Sequence, residues 1–317
     1  MKVLLAGASG VLGQRTAAAL RAAGHEVAGL GRGAGMDVRA DLLDREGLLR
    51  AVEGRGFDAV VHAATALAGK AMARHQDMAG TNRLRTEGTV NLLAAARETG
   101  ARRFVVESMM FGYGYGDHGG ALIGEDDGFG PRGTNVWLER HVGAMRTKEE
   151  LAFTADGIEG VSLRFGLFYG EGVTDSHLVP LLRGRKLPVV AAKGRALSWV
   201  DVADAARAVA LAVDAGRAGE AYNVADDAPA GWGEHMGAVA RAFGAPEPMT
   251  VPLWVLRPAP LAHAIMGTDL RMSNAKARRE LGWRPGYGSS LDGVRALAGA
   301  GAGAGAGASA GRRVTAA

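Results

Sequence analysis

The sequence predicts an α/β fold in which a doubly wound parallel sheet carries a smaller C-terminal lobe for substrate. Three observations support this prediction. Short apolar runs alternate with helix-like segments over the first half of the chain, a glycine-rich turn follows the first apolar run, and 48% of the 317 residues are hydrophobic. Such alternation is typical of a parallel sheet covered by helices on both faces. The length suits one nucleotide-binding sheet with an added lobe.

The elements of the first half are predicted from apolar runs and from helical spacing. The predicted strands span residues 2–6, 26–30, 36–40, 58–62 and 103–107. The predicted helices span residues 11–24, 45–52 and 81–99. Gly100 is a normal stop for the last of these helices, because glycine readily adopts the left-handed conformation that ends a helix.

The second half begins with a polar, glycine-rich stretch at residues 112–133, which is predicted to be a long loop. Beyond it, helices are expected at residues 136–155, 202–215, 233–243 and 275–281. Strands are expected at residues 161–165 and 220–224. From residue 299 onward the chain is almost pure Gly/Ala, which buries too little surface to offset the entropy cost of ordering.

The predicted domain organisation has three parts. Residues 1–168 form a dinucleotide-binding core, and residues 169–297 form mainly a substrate lobe with strands that return to the core. Residues 298–317 are predicted to be a disordered Gly/Ala tail.

Composition and charge exclude several classes of protein. The chain has no cysteine, which excludes disulfides and thiolate chemistry. No stretch approaches the roughly 20 apolar residues that span a bilayer, so we expect a soluble, cytoplasmic protein with no membrane partner. The net charge is +4, but the arginines are spread among 33 acidic residues, so we expect no nucleic-acid partner. We assign no residue to a metal.

The glycine-rich turn lies directly between the first predicted strand and the first predicted helix. Gly7 permits the tight turn, Gly10 lets the backbone approach a pyrophosphate, and Gly13 allows close packing of helix against strand. The free N–H groups of the helix N-terminus would bind the anionic group. The turn therefore predicts a Rossmann-type dinucleotide site formed by Gly7, Ser9, Gly10, Val11, Leu12 and Gly13.

The end of the second predicted strand bears on the choice of dinucleotide. NAD enzymes usually place an acid there for the ribose 2′-hydroxyl, whereas an arginine suits the 2′-phosphate of NADP. Here the strand ends in Leu30-Gly31-Arg32, with an arginine and no acid. We therefore expect NADP(H), bound in part by Arg32, with NAD as the alternative.

Further motifs follow in order over residues 1–297. They are Asp41-Leu42, Val60-Val61-His62-Ala63-Ala64, Asn82, Arg164-Phe165-Gly166-Leu167-Phe168-Tyr169-Gly170, the segment from Ser198 to Asp204 and the segment from Ser273 to Pro285. With these motifs the chain resembles the extended or atypical short-chain dehydrogenase/reductases, the NAD(P)-dependent epimerase/dehydratase family. The resemblance implies further cofactor-binding residues, namely Asp41, Leu42, Ala63, Ala64, Thr65, Asn82, Lys148, Phe165, Gly166 and Leu167.

The catalytic pattern of that family is incomplete in this chain. The family uses a tyrosine and, four residues later, a lysine that lowers the tyrosine pKa and binds the nicotinamide ribose. Aligning on Lys148 puts Ala144 at the tyrosine position. Aligning instead on Glu150, as the helix acid, gives Val142 and Arg146. The chain therefore resembles a branch of the family that lacks the tyrosine.

Substitutes for the tyrosine can be proposed from the same region. Ser108 remains at the exit of the fifth strand, while the usual catalytic serine falls on Met109. The candidate proton donors are Tyr113 or Tyr115 in the following loop and His141 on the helix, since histidine titrates near neutral pH. The predicted catalytic residues are Ser108, Tyr113, His141 and Lys148. Packing in the loop is the alternative role for the tyrosines, and exposure to solvent is the alternative for His141.

The expected function is an NADP(H)-dependent oxidoreductase that acts on a small, partly hydrophobic carbonyl or alcohol. The expected substrate contacts are Met109, Tyr113, Trp137, His177 and Trp199. Two alternatives remain open: a non-redox isomerase, dehydratase or cyclase that uses the same pocket, and a dinucleotide-sensing protein without turnover. A homodimer is a further expectation, because the tyrosine-bearing helix often forms the dimer interface in the family.

Overall fold

The computed structural model describes residues 1–67, 72–191 and 193–310, with side chains as far as residue 300. Within those residues there are thirteen strands: β1 (Lys2–Ala6), β2 (Glu26–Gly31), β3 (Val38–Arg39), β4 (Ala59–His62), β5 (Arg103–Met109), β6 (Asp117–Ile123), β7 (Glu159–Phe165), β8 (Leu167–Tyr169), β9 (Val189–Val190), β10 (Trp199–Asp201), β11 (Glu220–Val224), β12 (Thr250–Val251) and β13 (Asp269–Met272).

The same residues form eleven α-helices. They are α1 (Val11–Ala22), α2 (Arg45–Val52), α3 (Ala79–Arg83), α4 (Thr89–Thr99), α5 (Val136–Thr154), α6 (Val179–Arg183), α7 (Val202–Ala215), α8 (Trp232–Ala242), α9 (Pro260–Met266), α10 (Ala275–Glu280) and α11 (Ser290–Ala310). In this part of the chain, no helix is both long and apolar enough to cross a membrane.

Seven strands form one parallel sheet in the order β11-β7-β5-β4-β1-β2-β3. This confirms the predicted Rossmann-type doubly wound sheet. The strand order reverses at β1, which pairs with β2 on one side and β4 on the other. Such a reversal opens a crevice at the carboxyl ends of the strands, where ligands bind in folds of this type. The glycine-rich turn after β1 lies at this point.

Helices cover both faces of the large sheet, and alternate side chains of β1 are buried under the helices of each face. Val3 and Leu5 pack with α1 and α7 in one core cluster. Leu4 and Ala6 pack with α2, α4 and the C-terminal part of α5 in another. Strands buried on both faces are expected to be continuously apolar, as β1 is.

The loop predicted at residues 112–133 contains a strand instead. β6 pairs in parallel with β13, so two segments about 150 residues apart in the chain form a small sheet separate from the large one. A bulge in this pairing and the left-handed Gly119 and Gly120 within β6 interrupt the alternation that would reveal a strand. The prediction of a continuous loop was therefore wrong.

One helix differs from its predicted form, and another was not predicted. The helix expected at residues 81–99 begins at Ala79 and contains a π-helical turn, Leu84–Gly88, between α3 and α4. Helix α11 continues to Ala310, into the Gly/Ala stretch predicted to be disordered from residue 298. Alanine has the highest intrinsic helix propensity, which a prediction based on glycine content underweights. Residues 311–317 of that predicted tail lie outside the described residues.

Candidate active site

The turn after β1 packs so closely on its own backbone that two of its positions require glycine. A Cβ added at Gly7, where φ is 88°, would lie 2.7 Å from the carbonyl of Ala63. A Cβ at Gly13 would lie 2.1 Å from the carbonyl oxygen of Gly7. Helix α1 starts after Gly10 with no side-chain cap, so its first amides remain available to an anion. These features fit a pyrophosphate on the α1 N-terminus, beside Ser9, Val11 and Leu12.

Two arginines lie together at the ends of β2 and β3. Arg32 is exposed just after β2. Its backbone carbonyl oxygen accepts a hydrogen bond from Nε of Arg39 at 3.3 Å. The nearby acid Asp37 already accepts a hydrogen bond from the backbone N–H of Gly29 at 2.8 Å. Arg39 was not predicted, because a two-residue strand carries no periodic signal. The two arginines are thus in contact where β2 and β3 end.

The residues predicted around the adenosine lie at the same edge of the sheet. Asp41 accepts a hydrogen bond from the N–H of Leu43 at 2.9 Å, whereas the Leu42 side chain is buried. Ala63 and Ala64 lie against Gly7, and Thr65 is exposed after them.

The turn after β7 contains three predicted cofactor-binding residues, and they differ in how buried they are. Phe165 is fully buried in a core cluster and is therefore a core side chain. Gly166 packs so tightly that an added Cβ would lie 2.7 Å from the carbonyl oxygen of Ser198. Leu167 is half-buried.

A buried ion pair distinguishes the two neighbouring acids of α5. Nη2 of Arg164 lies 2.8 Å from Oε2 of Glu149, and both side chains are buried, whereas Glu150 is exposed. Glu149, rather than the Glu150 used in the sequence alignment, is therefore the buried acid of this part of α5. Counting the same offsets from Glu149 gives His141 and Met145 in place of Val142 and Arg146.

His141 uses both ring nitrogens within the protein. Asn82 Nδ2 lies 2.9 Å from His141 Nδ1, and His141 Nε2 lies 3.0 Å from Nδ1 of His75. Since the amide nitrogen of Asn82 can only donate, Nδ1 of His141 accepts and its Nε2–H donates to His75. Burial, aided by His75, Arg85 and Arg140, lowers the pKa of His141 to about 4. The ring is therefore neutral at pH 7, and Asn82 binds it rather than facing a cofactor.

Lys148 is completely buried in a charge cluster below the site. Its Nζ donates to Glu107 Oε2 at 3.1 Å and to the carbonyl oxygen of His62 at 3.2 Å. Arg85 lies 4.0 Å from the other oxygen of Glu107. Burial lowers the pKa of Lys148, and Glu107 opposes that shift. The predicted contact of Lys148 with a ribose is absent here, because its side chain has no exposed surface.

Tyr113 is also held within the protein. Its hydroxyl donates to Asn223 Oδ1 at 2.8 Å and accepts from Arg164 Nη1 at 2.9 Å. Burial raises its pKa to about 12. Ser108 is fully buried, and its Oγ has no hydrogen-bond partner among the described residues. Neither hydroxyl is presented to a substrate.

Tyr115 differs from Tyr113 in its surroundings. Its ring stacks on Phe111 at 5.0 Å and packs in the same cluster as Met109 and Leu167. Within residues 1–67, 72–191 and 193–310, nothing forms a hydrogen bond with its hydroxyl. Burial raises the pKa of Tyr115 to about 12, and Arg85 opposes the shift.

The residues predicted to contact substrate fall into two groups. Met109 is half-buried, and Trp137 is half-exposed. His177 is exposed, with Nδ1 2.9 Å from the carbonyl oxygen of Gly172. Trp199, in contrast, is 2% exposed and stacks on His235 at 3.8 Å in the small lobe. Trp199 is therefore a core residue, which corrects its predicted role as a substrate contact.

A match to a protein-family model identifies the family of this chain. The NAD dependent epimerase/dehydratase family model matches residues 3–225, which include the glycine turn, α5 and the turn after β7. The chain belongs to the NAD dependent epimerase/dehydratase family. This confirms the resemblance seen in the sequence. As a member of that family the protein is an NAD(P)-dependent enzyme, and its cofactor is a nicotinamide dinucleotide.

Similar members of the family have reductase or epimerase names. A 3-diazoavenalumate denitrifying reductase of a Streptomyces species is 35% identical over 311 residues, which are 93% of this chain and 99% of that protein. A 2-alkyl-3-oxoalkanoate reductase of Stenotrophomonas maltophilia (strain K279a) is 30% identical and covers 78% of this chain and 77% of its own. UDP-glucose 4-epimerase of Thermus thermophilus, solved with NAD, superposes with a TM-score of 0.72 at 26% identity, covering 96% of this chain and 100% of its own.

Proposed function

We propose that this enzyme is an NADP(H)-dependent reductase that removes the diazonium group of a small aromatic acid as dinitrogen. The observation that carries the proposal is that two of the three candidate proton donors, His141 and Tyr113, and the predicted catalytic Lys148 are hydrogen-bonded within the protein. Reduction of a carbonyl requires a proton donor for the oxygen. The site therefore suits an acceptor that needs hydride alone.

An arenediazonium ion is such an acceptor. The bound dinucleotide would supply a hydride. In sum, Ar–N₂⁺ + NADPH gives Ar–H + N₂ + NADP⁺, so no proton is drawn from the protein. The name of the Streptomyces relative, a denitrifying reductase of a diazo compound, supports this chemistry for a protein that aligns along almost the whole chain.

The two histidines add no positive charge beside a cationic reacting group, although Arg85 and Arg140 lie close enough to lower the pKa of His141. His141 is neutral at pH 7, and burial lowers the pKa of its partner His75 as well. In the usual family pattern a lysine stands four residues after the tyrosine, and the residue four after His141 is Met145. Lys148 is farther along α5 and is paired with Glu107. Removal of a nearby cation lowers the electrostatic cost of binding a diazonium ion.

The preference for NADP(H) is a separate part of the proposal. Arg32 and Arg39 meet at the ends of β2 and β3, where the 2′-phosphate would lie. The only nearby acid we identify among the described residues, Asp37, is already bonded to the backbone of Gly29. Two arginines at this edge, with one oxygen of Asp37 bonded to the backbone of Gly29, favour the phosphate over a ribose hydroxyl.

Reduction of a small, partly hydrophobic carbonyl is the second candidate. The relative named 2-alkyl-3-oxoalkanoate reductase supports it. So does Tyr115, whose hydroxyl is not bonded by the described residues and which packs beside Met109 and Leu167. In that reaction Tyr115 would donate the proton, assisted by the positive charge of Arg85.

One experiment separates the two candidates. Purified enzyme with 4-deuterated NADPH is given an arenediazonium carboxylate or a 3-oxo acid, and nicotinamide absorbance, dinitrogen release and deuterium in the product are followed. We expect deuterium at the arene carbon that carried nitrogen, at an equal rate in wild type and Tyr115→Phe. The proposal fails if only the oxo acid is reduced and Tyr115→Phe abolishes that activity. Boiled enzyme controls for spontaneous loss of nitrogen.

The remaining expectations stay predictions. A non-redox isomerase or cyclase would convert substrate without a change in nicotinamide absorbance, and a sensor would bind the dinucleotide without turnover. The expected homodimer is tested by sedimentation velocity of the purified protein.

A further inference from the structure

The N-terminal turns of α5 carry a row of stacked planar groups that the proposed hydride transfer does not use. The guanidinium carbon of Arg140 lies 4.5 Å from the centroid of the Trp137 ring. Trp137 in turn stacks on His75, with 5.8 Å between centroids and 7° between planes. His75 is bonded to His141, so the row ends at His141.

Helical spacing explains how one segment presents this row. Trp137, Arg140 and His141 are three and four residues apart on α5 and therefore share a face. Their environments differ along that face. His141 is 1% exposed, whereas Trp137 is 50% exposed and Arg140 lies at the surface. The row thus runs from the buried site to solvent.

Arg140 is a cation without a carboxylate partner among the described residues. Its neighbour Glu139 is paired with Arg146 at 2.5 Å and also accepts from the backbone N–H of Gly133. Asp77, near His75, accepts from the backbone N–H groups of Ala73 and Arg74. These two acids are thus already bonded, which leaves the charge of Arg140 available to an anion.

We propose that Arg140 binds the carboxylate of an aromatic substrate and that the exposed part of Trp137, held by its stack on His75, packs against the flat part of the same molecule. This inference rests on the proposed function, because it takes the group near His141 to be the reacting end. A guanidinium held over an indole is preoriented for a carboxylate, since less rotamer freedom is lost on binding. Arg140 and His141 are consecutive in α5, but in the row of contacts Trp137 and His75 lie between their side chains. The substrate class is therefore an aryl acid whose carboxylate stands away from the ring.

The charges of such a substrate match both ends of the row. The neutral His75 and His141 face the reacting end, where a diazonium group would be cationic. Arg140 faces the far end, where the carboxylate is anionic. The site would accordingly select a zwitterionic aryl acid over a neutral ester of the same shape.

The test measures preference for the acid over its methyl ester in wild type, Arg140→Ala, Trp137→Leu and Arg50→Ala. Arg50 is an exposed arginine of α2 paired with Glu46, so its variant controls for loss of one positive charge. We expect Arg140→Ala to lower kcat/KM for the acid roughly 10-fold or more through KM, which removes the preference for the acid. Trp137→Leu should weaken binding of acid and ester alike, and Arg50→Ala should match wild type. Equal effects of Arg140→Ala on acid and ester, or no effect, would overturn the inference.

Binding of an unreactive aryl acrylate in the presence of NADP⁺, followed by calorimetry, separates this inference from the proposed reaction. Suppose that no diazonium compound is reduced, but that wild type binds the acrylate more tightly than its ester and Arg140→Ala shows no such preference. The carboxylate site is then supported and the proposed reaction is wrong. If acid and ester bind equally to wild type, the carboxylate site is wrong.

Discussion

Glu149 of α5 and Arg164 of β7 form a buried ion pair in which the guanidinium reaches both carboxylate oxygens, at 2.8 Å from Nη2 and 3.1 Å from Nε. The Oε1 atom of Glu149 also accepts from Ser162 at 2.8 Å. The ion pair links α5, the helix that carries His141, to the central sheet. It thereby determines which α5 residues face the site.

Replacement of Glu149 with glutamine should destabilise the fold by about 3–5 kcal/mol, because it leaves the Arg164 charge buried without its partner. Glu150→Gln is the matched control, since Glu150 is exposed one residue later, and it should change stability little. Urea unfolding followed by tryptophan fluorescence measures both. Equal stability of the two variants would show that the pair does not hold α5 in place.

Gly13→Ala should abolish dinucleotide binding. Its Cβ would overlap the carbonyl oxygen of Gly7, so α1 would have to move away from the turn that receives the pyrophosphate. Titration with NADPH, followed by quenching of the five tryptophans, measures the loss. Gly56→Ala is the control, because no atom lies within 4 Å of a Cβ added there. Binding by Gly13→Ala with unchanged affinity would exclude this turn as the pyrophosphate site.

Arg32→Ala and Arg39→Ala should each weaken NADPH binding by roughly 10-fold, as expected for loss of a charge-assisted hydrogen bond. Affinity for NADH, which lacks the 2′-phosphate, should change little. The same fluorescence titration gives the ratio of the two dissociation constants. If both variants bind the two dinucleotides as wild type does, the 2′-phosphate lies elsewhere or NAD(H) is the cofactor.

The parts of this molecule that could be predicted from sequence depend on neighbours in the chain. The strand-turn-helix around Gly7 is such a case, because its glycines, its strand and its helix all lie within 22 residues. Helix α7 was predicted with its observed bounds, since Asp201 caps its N-terminus locally.

The features that were missed depend on partners distant in the chain. The α5 register is decided by Arg164, on another element, and no pattern within α5 distinguishes Glu149 from Glu150. The bond between His75 and His141 joins positions 66 residues apart. Likewise, Trp199 carries no local signal that it packs into the core of the small lobe rather than facing substrate. Sequence therefore predicted the cofactor turn better than the environment of the reacting groups.

Buried histidines should make the protein less stable as the pH falls from 7 to 4. Burial lowers the pKa of His141 to about 4 and that of His235 to about 3. A histidine in the unfolded chain has a pKa near 6.5. Below that pH the unfolded chain therefore binds protons that the buried native histidines do not bind. The free energy of unfolding then falls by up to about 1.4 kcal/mol per pH unit for each histidine.

The variant His235→Gln measures how much His235 contributes to the pH dependence of stability. Asp226, whose pKa burial raises to about 8, acts in the opposite direction over the same range, because its native carboxyl holds a proton that the unfolded one loses. The wild-type slope is therefore a net value, and the difference between wild type and variant is the decisive quantity. Urea unfolding at pH 7, 6 and 5 should show a variant that is less stable at pH 7, because the bond to Ser290 is lost, but whose stability falls less steeply with acid. Parallel pH profiles for the two proteins would mean that His235 is not held neutral by its burial against Trp199.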